Sequence, residues 1–161
     1  MNVRHAQASD LPVIVDMFVA LADFIRSKNP EANITDDRDK LIGGALLVLR
    51  GKMLTAGHCV IVMENDEGVK GFCAGSLTQM PPFAKYEIVG ELNWLYPMAP
   101  VSRVLLKAFD KWAIDGGATA RWGFAASGNE LSQRVMEHEG MHLEILQYFK
   151  EYHKEADSVL R

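Results

Sequence analysis

The chain has 161 residues, of which 48% are apolar and 24% charged, and its formal net charge is −4. This length and apolar content suit one domain with its own core, and exclude wholesale disorder or a fibrous repeat. The acidic balance, without a basic run, argues against nucleic acid as a partner. The longest apolar stretches, such as 41–49, are about half of the roughly 20 residues that a membrane helix needs, so we expect no membrane association.

The two cysteines, Cys59 and Cys73, bear on the cellular compartment. With no secretory features at the N-terminus, they indicate a reducing, cytoplasmic setting in which both remain thiols. They lack a C-x-x-C motif and an evident base, which favours buried structural thiols over reactive ones.

The first segment predicts a short strand and then a helix. Residues 2–7 alternate around a central valine and form the strand. Ser9 and Asp10 offer two side-chain caps, and Pro12 suits the first turn of a helix. Apolar residues at helical spacing then continue to about residue 27, before Asn29-Pro30 ends the helix.

A second helix and a β-hairpin follow. Thr35 with Asp36 and Asp37 starts the helix, which carries the apolar stretch 41–49. Residues 58–63 are rich in strand-forming side chains, 64–68 form a turn cluster, and 69–77 supply the partner strand.

Residues 86–96 alternate as a strand would. Strict alternation places one set of side chains on one face, namely Tyr86, Ile88, Leu92, Trp94 and Tyr96. It places the other set on the opposite face, namely Glu87, Val89, Glu91, Asn93 and Leu95. Pro97 and Pro100 interrupt the pattern before the next helix.

The remaining segment predicts a helix, a strand, a short helix and a last strand. Helical spacing resumes at Val101 and stops at Gly116-Gly117. Residues 118–124 form a strand, 130–139 a short helix stopped at Gly140, and 141–150 the last strand. The resulting order of strands and helices predicts an α/β architecture, with early antiparallel hairpins and a later crossover helix.

This order and several motifs resemble the GNAT family, the acyl-CoA-dependent N-acetyltransferases, over nearly the whole chain. Leu105-Leu106, Ala113 and Gly117 are similar to the helix that follows the family's pyrophosphate loop. Asn129 followed by 135–141 is similar to its asparagine before a short helix.

Two further segments carry the resemblance. Val3-Arg4 through Pro12 is similar to the family's first strand and helix start, and 91–96 (ELNWLY) resembles the E-L-x-x-L-Y of its fourth strand. The resemblance implies a mixed central sheet flanked by helices, in one domain over residues 1–150 with a charged tail at 151–161.

The same resemblance implies an acetyl-CoA cosubstrate, an amine acceptor on a small molecule or a protein, and no metal. Glu91 becomes the candidate general base, since a reacting amine must lose a proton; as a simpler alternative, it is a solvated strand carboxylate. A diphosphate suits free amides at a helix N-terminus. The candidate cofactor residues are Leu95, Tyr96, Met98, Val101, Ser102, Arg103 and Asn129.

The chain departs from the family in two places. The Q/R-x-x-G-x-G/A signature is missing, with Met98, Pro100 and Ser102 near the glycine positions. Met136 occupies the position of the family's tyrosine acid, and a thioether cannot donate a proton; Tyr148, Ser132 or water would have to substitute. These departures favour the alternative of a catalytically inactive GNAT-like binding or structural protein, similar to some from phages.

His138 to His142 spells H-E-x-x-H, the zinc-protease motif. That motif needs an unbroken helix, whereas Gly140 and the alternation after it predict a break, which would point the two imidazoles apart. We therefore expect no metal here.

Two properties of partners stay open at the sequence level. Acidic residues near the first two helices would attract a cationic acceptor, although exposed charges are usually only solvated; they are Glu31, Asp36, Asp37 and Asp39. The lack of a seventh strand leaves a sheet edge that a second copy could cover in a homodimer.

Overall fold

The computed structural model describes residues 1–97, 99–123, 130–138, 140 and 141. Five strands form one sheet in chain order. They are β1 (Asn2–His5), β2 (His58–Asn65), β3 (Gly68–Gln79), β4 (Ile88–Tyr96) and β5 (Ala120–Gly123). Pairing is antiparallel from β1 to β4, and β5 runs parallel to β4. The mixed sheet confirms the predicted fold class.

Four helices pack on this sheet, in the predicted order. They are α1 (Leu11–Lys28), α2 (Arg38–Leu54), α3 (Arg103–Asp115) and α4 (Glu130–His138). The predicted last strand at 141–150 lies, except for Met141, outside the described residues, and so does the tail at 151–161. No helix in the described part of the chain is both long and apolar enough to cross a membrane.

The helices cover both faces of the sheet, so the strands are buried on two sides. One buried cluster joins α1 and α2 to the sheet and includes Ile14, Leu49, Val60, Val62 and Phe72. The other joins α3 to the opposite face and includes Ile61, Met63, Leu92, Leu106 and Phe109. Alternate residues of β2 therefore belong to opposite clusters, as the pleat of a strand requires.

Glycines end α3 and α4 where the sequence predicts. Gly117 (φ +91°) and Gly140 (φ +77°) adopt the left-handed conformation that glycine permits. The amide of Ala118 donates to the carbonyl of Ala113 at 2.9 Å, and the amide of Met141 donates to that of Met136 at 3.1 Å. Both ends are Schellman motifs, in which the last carbonyls find partners beyond the helix.

The start of α1 differs from the prediction. Neither Ser9 nor Asp10 caps the helix with its side chain, and a 3-10 turn over Ala8–Asp10 leads into it instead. The Asp10 carboxylate points back, accepting from the Gln7 amide at 2.7 Å and from Arg4 Nη1 at 2.6 Å. The side chain that looked like a cap thus ties the turn to β1. By contrast, Asp37 caps α2 as predicted, since its carboxylate accepts from the Lys40 amide at 3.0 Å.

Candidate active site

A β-bulge at Asn93 breaks the pairing of β4 with β3. Ala74 pairs with Trp94 and Gly75 with Leu92, so Asn93 is an extra residue in β4. Strict alternation across residues 86–96 is therefore wrong. Leu92 and Leu95 both face α3, whereas Trp94 and Tyr96 face α1 and α2.

Glu91 precedes the bulge and lies on the opposite face of β4 from Leu92, towards α2, and the bulge brings the side chain of Asn93 to the same side. The half-buried Glu91 carboxylate accepts one hydrogen bond on each oxygen. Thr78 Oγ1 donates to Oε2 and Asn93 Nδ2 donates to Oε1, both at 2.9 Å. An ionised carboxylate has about four acceptor positions, so the oxygens retain capacity for a further donor such as a substrate amine.

Lys52, from the last turns of α2, extends this network. Its Nζ donates to Asn93 Oδ1 at 2.7 Å and to Ser76 Oγ at 3.2 Å, and it lies 3.4 Å from His58 Nδ1. Nζ also stands 5.5 Å from the centre of the Trp94 ring. Burial lowers the pKa of Lys52, and the nearby carboxylate of Glu91 acts in the opposite direction.

Among the described residues, the ladder between β4 and β5 covers the first half of β4. It runs from Val89, opposite Ala120, to Leu92, opposite Gly123. Beyond that point, residues 93–96 have no β5 partner among the described residues. The edge of β4 that follows the bulge leads directly towards the N-terminus of α3.

The segment between β4 and α3 contains a 3-10 turn, Pro100–Ser102. Ser102 is fully buried; its hydroxyl donates to the Pro97 carbonyl, and its amide donates to the Ala99 carbonyl at 2.9 Å. The side chain of this predicted cofactor residue is thus committed to holding the turn. Val101, beside it, is exposed to solvent.

The other predicted cofactor residues lie around this turn. Leu95 is buried against α3, and Tyr96 packs on the α1 and α2 side. Arg103, the first residue of α3, contacts the imidazole of His138 at the end of α4. Met98 and Asn129 lie outside the described residues.

Met136, at the position where the family has a tyrosine, is buried in the α3-side cluster. A Cβ built on Gly123 would lie 3.2 Å from its terminal methyl, so Met136 packs directly on β5. The alternatives for a proton donor, Tyr148 and the side chain of Ser132, lie outside the described residues.

Helix α4 ends at the first residue of the H-E-x-x-H motif. The last residue of α4 is His138, and Gly140 takes the left-handed conformation that closes the helix. The predicted break at Gly140 is thereby confirmed. Glu139 and His142 lie outside the described residues, and the remaining described residues contain no cluster of three metal-ligating side chains.

Both cysteines are free and buried, as predicted. They lie on β2 and β3, on the face covered by α3. Burial raises the pKa of the Cys59 thiol to about 12, and it also raises the pKa of the Cys73 thiol.

The network around Glu91 contains residues that the sequence did not single out. Lys52, His58, Ser76 and Thr78 come from α2, β2 and β3, and meet only because these elements pack together. Asn93 belongs to the ELNWLY motif, in which only Glu91 was a candidate site residue. The position of Asn93 near Glu91 was therefore the one feature of the sequence that could have pointed to it.

Comparisons with known proteins rest on structure, since the sequence matches no family model and no curated protein. A predicted acetyltransferase from Clostridium acetobutylicum, solved with acetyl-CoA, superposes with a TM-score of 0.72 at 14% identity, over 94% of this chain and 95% of the other. The aminoglycoside 6'-N-acetyltransferase AAC(6')-IG from Acinetobacter haemolyticus gives 0.68 at 18% identity, over 94% and 99%.

A third similar structure is a single-substitution mutant of the BH1408 protein from Bacillus halodurans. It has a TM-score of 0.79 at 10% identity, over 94% of this chain and 99% of that one. These similarities run nearly end to end at very low identity. The chain therefore has the fold of the GNAT acetyltransferases, as its sequence motifs predicted, in a strongly diverged sequence.

Proposed function

We propose that the protein is an acyl-CoA-dependent N-acetyltransferase that moves an acetyl group from acetyl-CoA to an amine by direct attack. The observation that carries the proposal is the bulge at Asn93. It lies directly after the last described β4–β5 pair, Leu92 with Gly123, beside a carboxylate held in place by two donors. The similar fold of an acetyltransferase solved with acetyl-CoA supports the same reading.

The proposed cofactor path follows the part of β4 that has no β5 partner among the described residues. Acetyl-CoA would lie along residues 93–96, with its diphosphate towards the turn before α3. The first amides of a helix lack intrahelical partners and attract anions. Because Pro100 has no amide and Ser102 uses both its hydroxyl and its amide within this segment, we assign the diphosphate contacts to the Val101 amide, the first amides of α3 and the Arg103 cation.

The chemistry assigned to the site is aminolysis of a thioester. The amine nitrogen bonds to the acetyl carbon, the carbon–sulfur bond breaks, and CoA leaves as a thiolate that takes a proton from water. Glu91 removes the proton that the amine loses. At a bulge the extra residue stands outside the ladder, so the main chain at Asn93 is suited to stabilise the developing oxyanion.

The proposed acceptor is a cationic amine. Acidic residues lie around the ends of α1 and α2, but two of them have local roles: Asp36 pairs with Arg26 at 2.8 Å, and Asp37 caps α2. Glu31 and Asp39 are exposed. Their charge adds to that of Glu91 in favouring a positively charged acceptor over an anionic one.

A second candidate function is a binding or structural protein that has kept the acetyltransferase fold without its catalysis. The observation that favours it is the segment 97–102, where Pro97 and Pro100 lack amides and Ser102 uses both its amide and its hydroxyl internally. On this reading the turn is a closed structural element.

Calorimetric titration with acetyl-CoA separates the two functions. The enzyme is expected to give saturable binding in the micromolar range, and no heat at millimolar acetyl-CoA would defeat the proposal. Turnover is then followed as CoA thiol release with spermidine, kanamycin and a lysine-containing peptide as separate acceptors. Binding of acetyl-CoA without release of the CoA thiol in the presence of any of these acceptors would support the second candidate, a binding protein without catalysis.

A further inference from the structure

We propose that Lys52 is a positioning residue for Glu91, acting through the side-chain amide of Asn93. Two hydrogen bonds connect the three side chains in series: Lys52 Nζ donates to Asn93 Oδ1, and Asn93 Nδ2 donates to Glu91 Oε1. The catalytic consequence rests on the proposed function, whereas the geometry of the series does not.

The chemistry of the three groups fixes which way the Asn93 amide points. An ammonium can only donate and an ionised carboxylate can only accept. Asn93 must therefore turn Oδ1 towards Lys52 and Nδ2 towards Glu91. The opposite orientation would place an amide oxygen against the carboxylate, which is repulsive.

Ser76 cannot replace Lys52 in this role. Its hydroxyl lies 3.2 Å from Asn93 Oδ1, but a hydroxyl both donates and accepts. It is compatible with either orientation of the amide. Lys52 and Glu91 are thus the two groups of this network that discriminate between the orientations, and Lys52 holds the amide from the side opposite the carboxylate, in the orientation that donates to Glu91.

Lys52 is itself held firmly enough to do this. It reaches the sheet from α2, 41 residues before Asn93 in the chain. Ser76 Oγ, His58 Nδ1 and the Trp94 ring surround its ammonium. The bulge makes this possible because it turns both Asn93 and Trp94 towards α2.

The kinetic test compares Lys52→Met with Lys40→Met, which removes an exposed lysine of the same helix. With the best acceptor of the panel above, Lys52→Met is expected to lower kcat about tenfold through loss of positioning, with KM for acetyl-CoA unchanged. Lys52→Arg, which also only donates, is expected to recover most of the loss, and Lys40→Met to match the wild type. An unchanged kcat in Lys52→Met, or a rise in KM that accounts for the loss, would overturn the inference.

A second test needs no turnover and follows the Asn93 side-chain amide by 15N NMR. Its signals are expected to shift in Lys52→Met and in Glu91→Ala, and to stay in place in Lys40→Met. Unchanged signals in Lys52→Met would overturn the inference. A wild-type chain that fails to bind acetyl-CoA defeats the proposed function only, and this spectrum then decides on Lys52.

Should Lys52→Met fail to fold, Asn93→Asp tests the second hydrogen bond of the series, from Asn93 Nδ2 to Glu91 Oε1. The aspartate keeps an acceptor for Lys52 but removes the donor to Glu91, so kcat is expected to fall with KM for acetyl-CoA unchanged. Wild-type kcat in Asn93→Asp would count against the series.

Discussion

Hydrogen bonds hold both oxygens of the Glu91 carboxylate in place. A fixed carboxylate suits the proposed role of general base, and a substitution of Glu91 tests that role. Glu91→Gln keeps an oxygen for Thr78 but cannot take a proton from an amine. We expect the turnover rate, followed as CoA thiol release, to fall about a hundredfold while the Kd for acetyl-CoA stays within about twofold. Steady-state kinetics and calorimetry measure the two effects, with the exposed Glu87→Gln as control. Equal activity in Glu91→Gln would remove Glu91 from the mechanism.

The two thiols give a second prediction at the level of single residues. Because burial raises the pKa of Cys59 to about 12, little thiolate forms at pH 8. Cys73 is equally buried, with its pKa shifted in the same direction. Ellman's reagent is expected to react with neither thiol in the native protein and with both in urea. A thiol that reacts rapidly in the native state would contradict the packing described for β2 and β3.

Asp10 makes stability depend on pH. Hydrogen bonding to Arg4, and then to the Gln7 amide, holds the pKa of Asp10 below 3.8 despite its burial. A depressed carboxyl pKa stabilises the fold fully above the unfolded value, and this contribution is lost as pH falls through the folded value.

Asp10→Asn is therefore expected to lower the free energy of unfolding by about 1 to 2 kcal/mol at pH 7. Urea unfolding of both proteins from pH 7 down to pH 2 should show the gap closing below about pH 4. A gap that stays constant over this range would show that the charge of Asp10 does not stabilise the turn.

At the level of elements, the close approach of β3, β4 and α3 depends on Gly75, which pairs beside the bulge. A Cβ on Gly75 would lie 2.4 Å from the Glu91 carbonyl oxygen and 2.4 Å from Phe109 Cε2. Gly75→Ala is expected to lower the free energy of unfolding by about 3 kcal/mol through overpacking.

Gly44→Ala is the matched control, since nothing lies within 4 Å of its Cβ position in the exposed face of α2. It is expected to raise the free energy of unfolding by about 0.5 to 1 kcal/mol. Denaturant melts of both variants test the pair. A Gly75→Ala variant as stable as the wild type would mean that β3 and α3 are less tightly packed than described.

The elements also separate what the sequence could predict from what it could not. The ends of α3 and α4 were predictable because Gly117 and Gly140 act locally. The bulge was not, because one extra residue in β4 is defined only by its pairing with β3. A period-two pattern through 86–96 therefore placed Leu92 correctly with Ile88 but wrongly with Trp94 and Tyr96. The contact between Lys52 and Asn93 could not be anticipated.

For the whole molecule, the fold could be predicted from the order of elements, since that order allows few ways to pack both faces of one sheet. The sequence supports a functional hypothesis only where it keeps the motifs of the family that it resembles. The glycine signature of the pyrophosphate loop is missing and Met136 replaces the tyrosine, so the loop's residues had to be judged by their contacts. Those contacts leave the main chain at the start of α3 and residues 93–96 of β4 as the proposed cofactor surface.

Amide chemical-shift mapping during titration with acetyl-CoA tests this account most directly. We predict the largest changes in β4 from Glu91 to Tyr96 and in the first turn of α3, with β1 and α1 unaffected. Saturable changes confined to other surfaces, or none at millimolar acetyl-CoA, would contradict it.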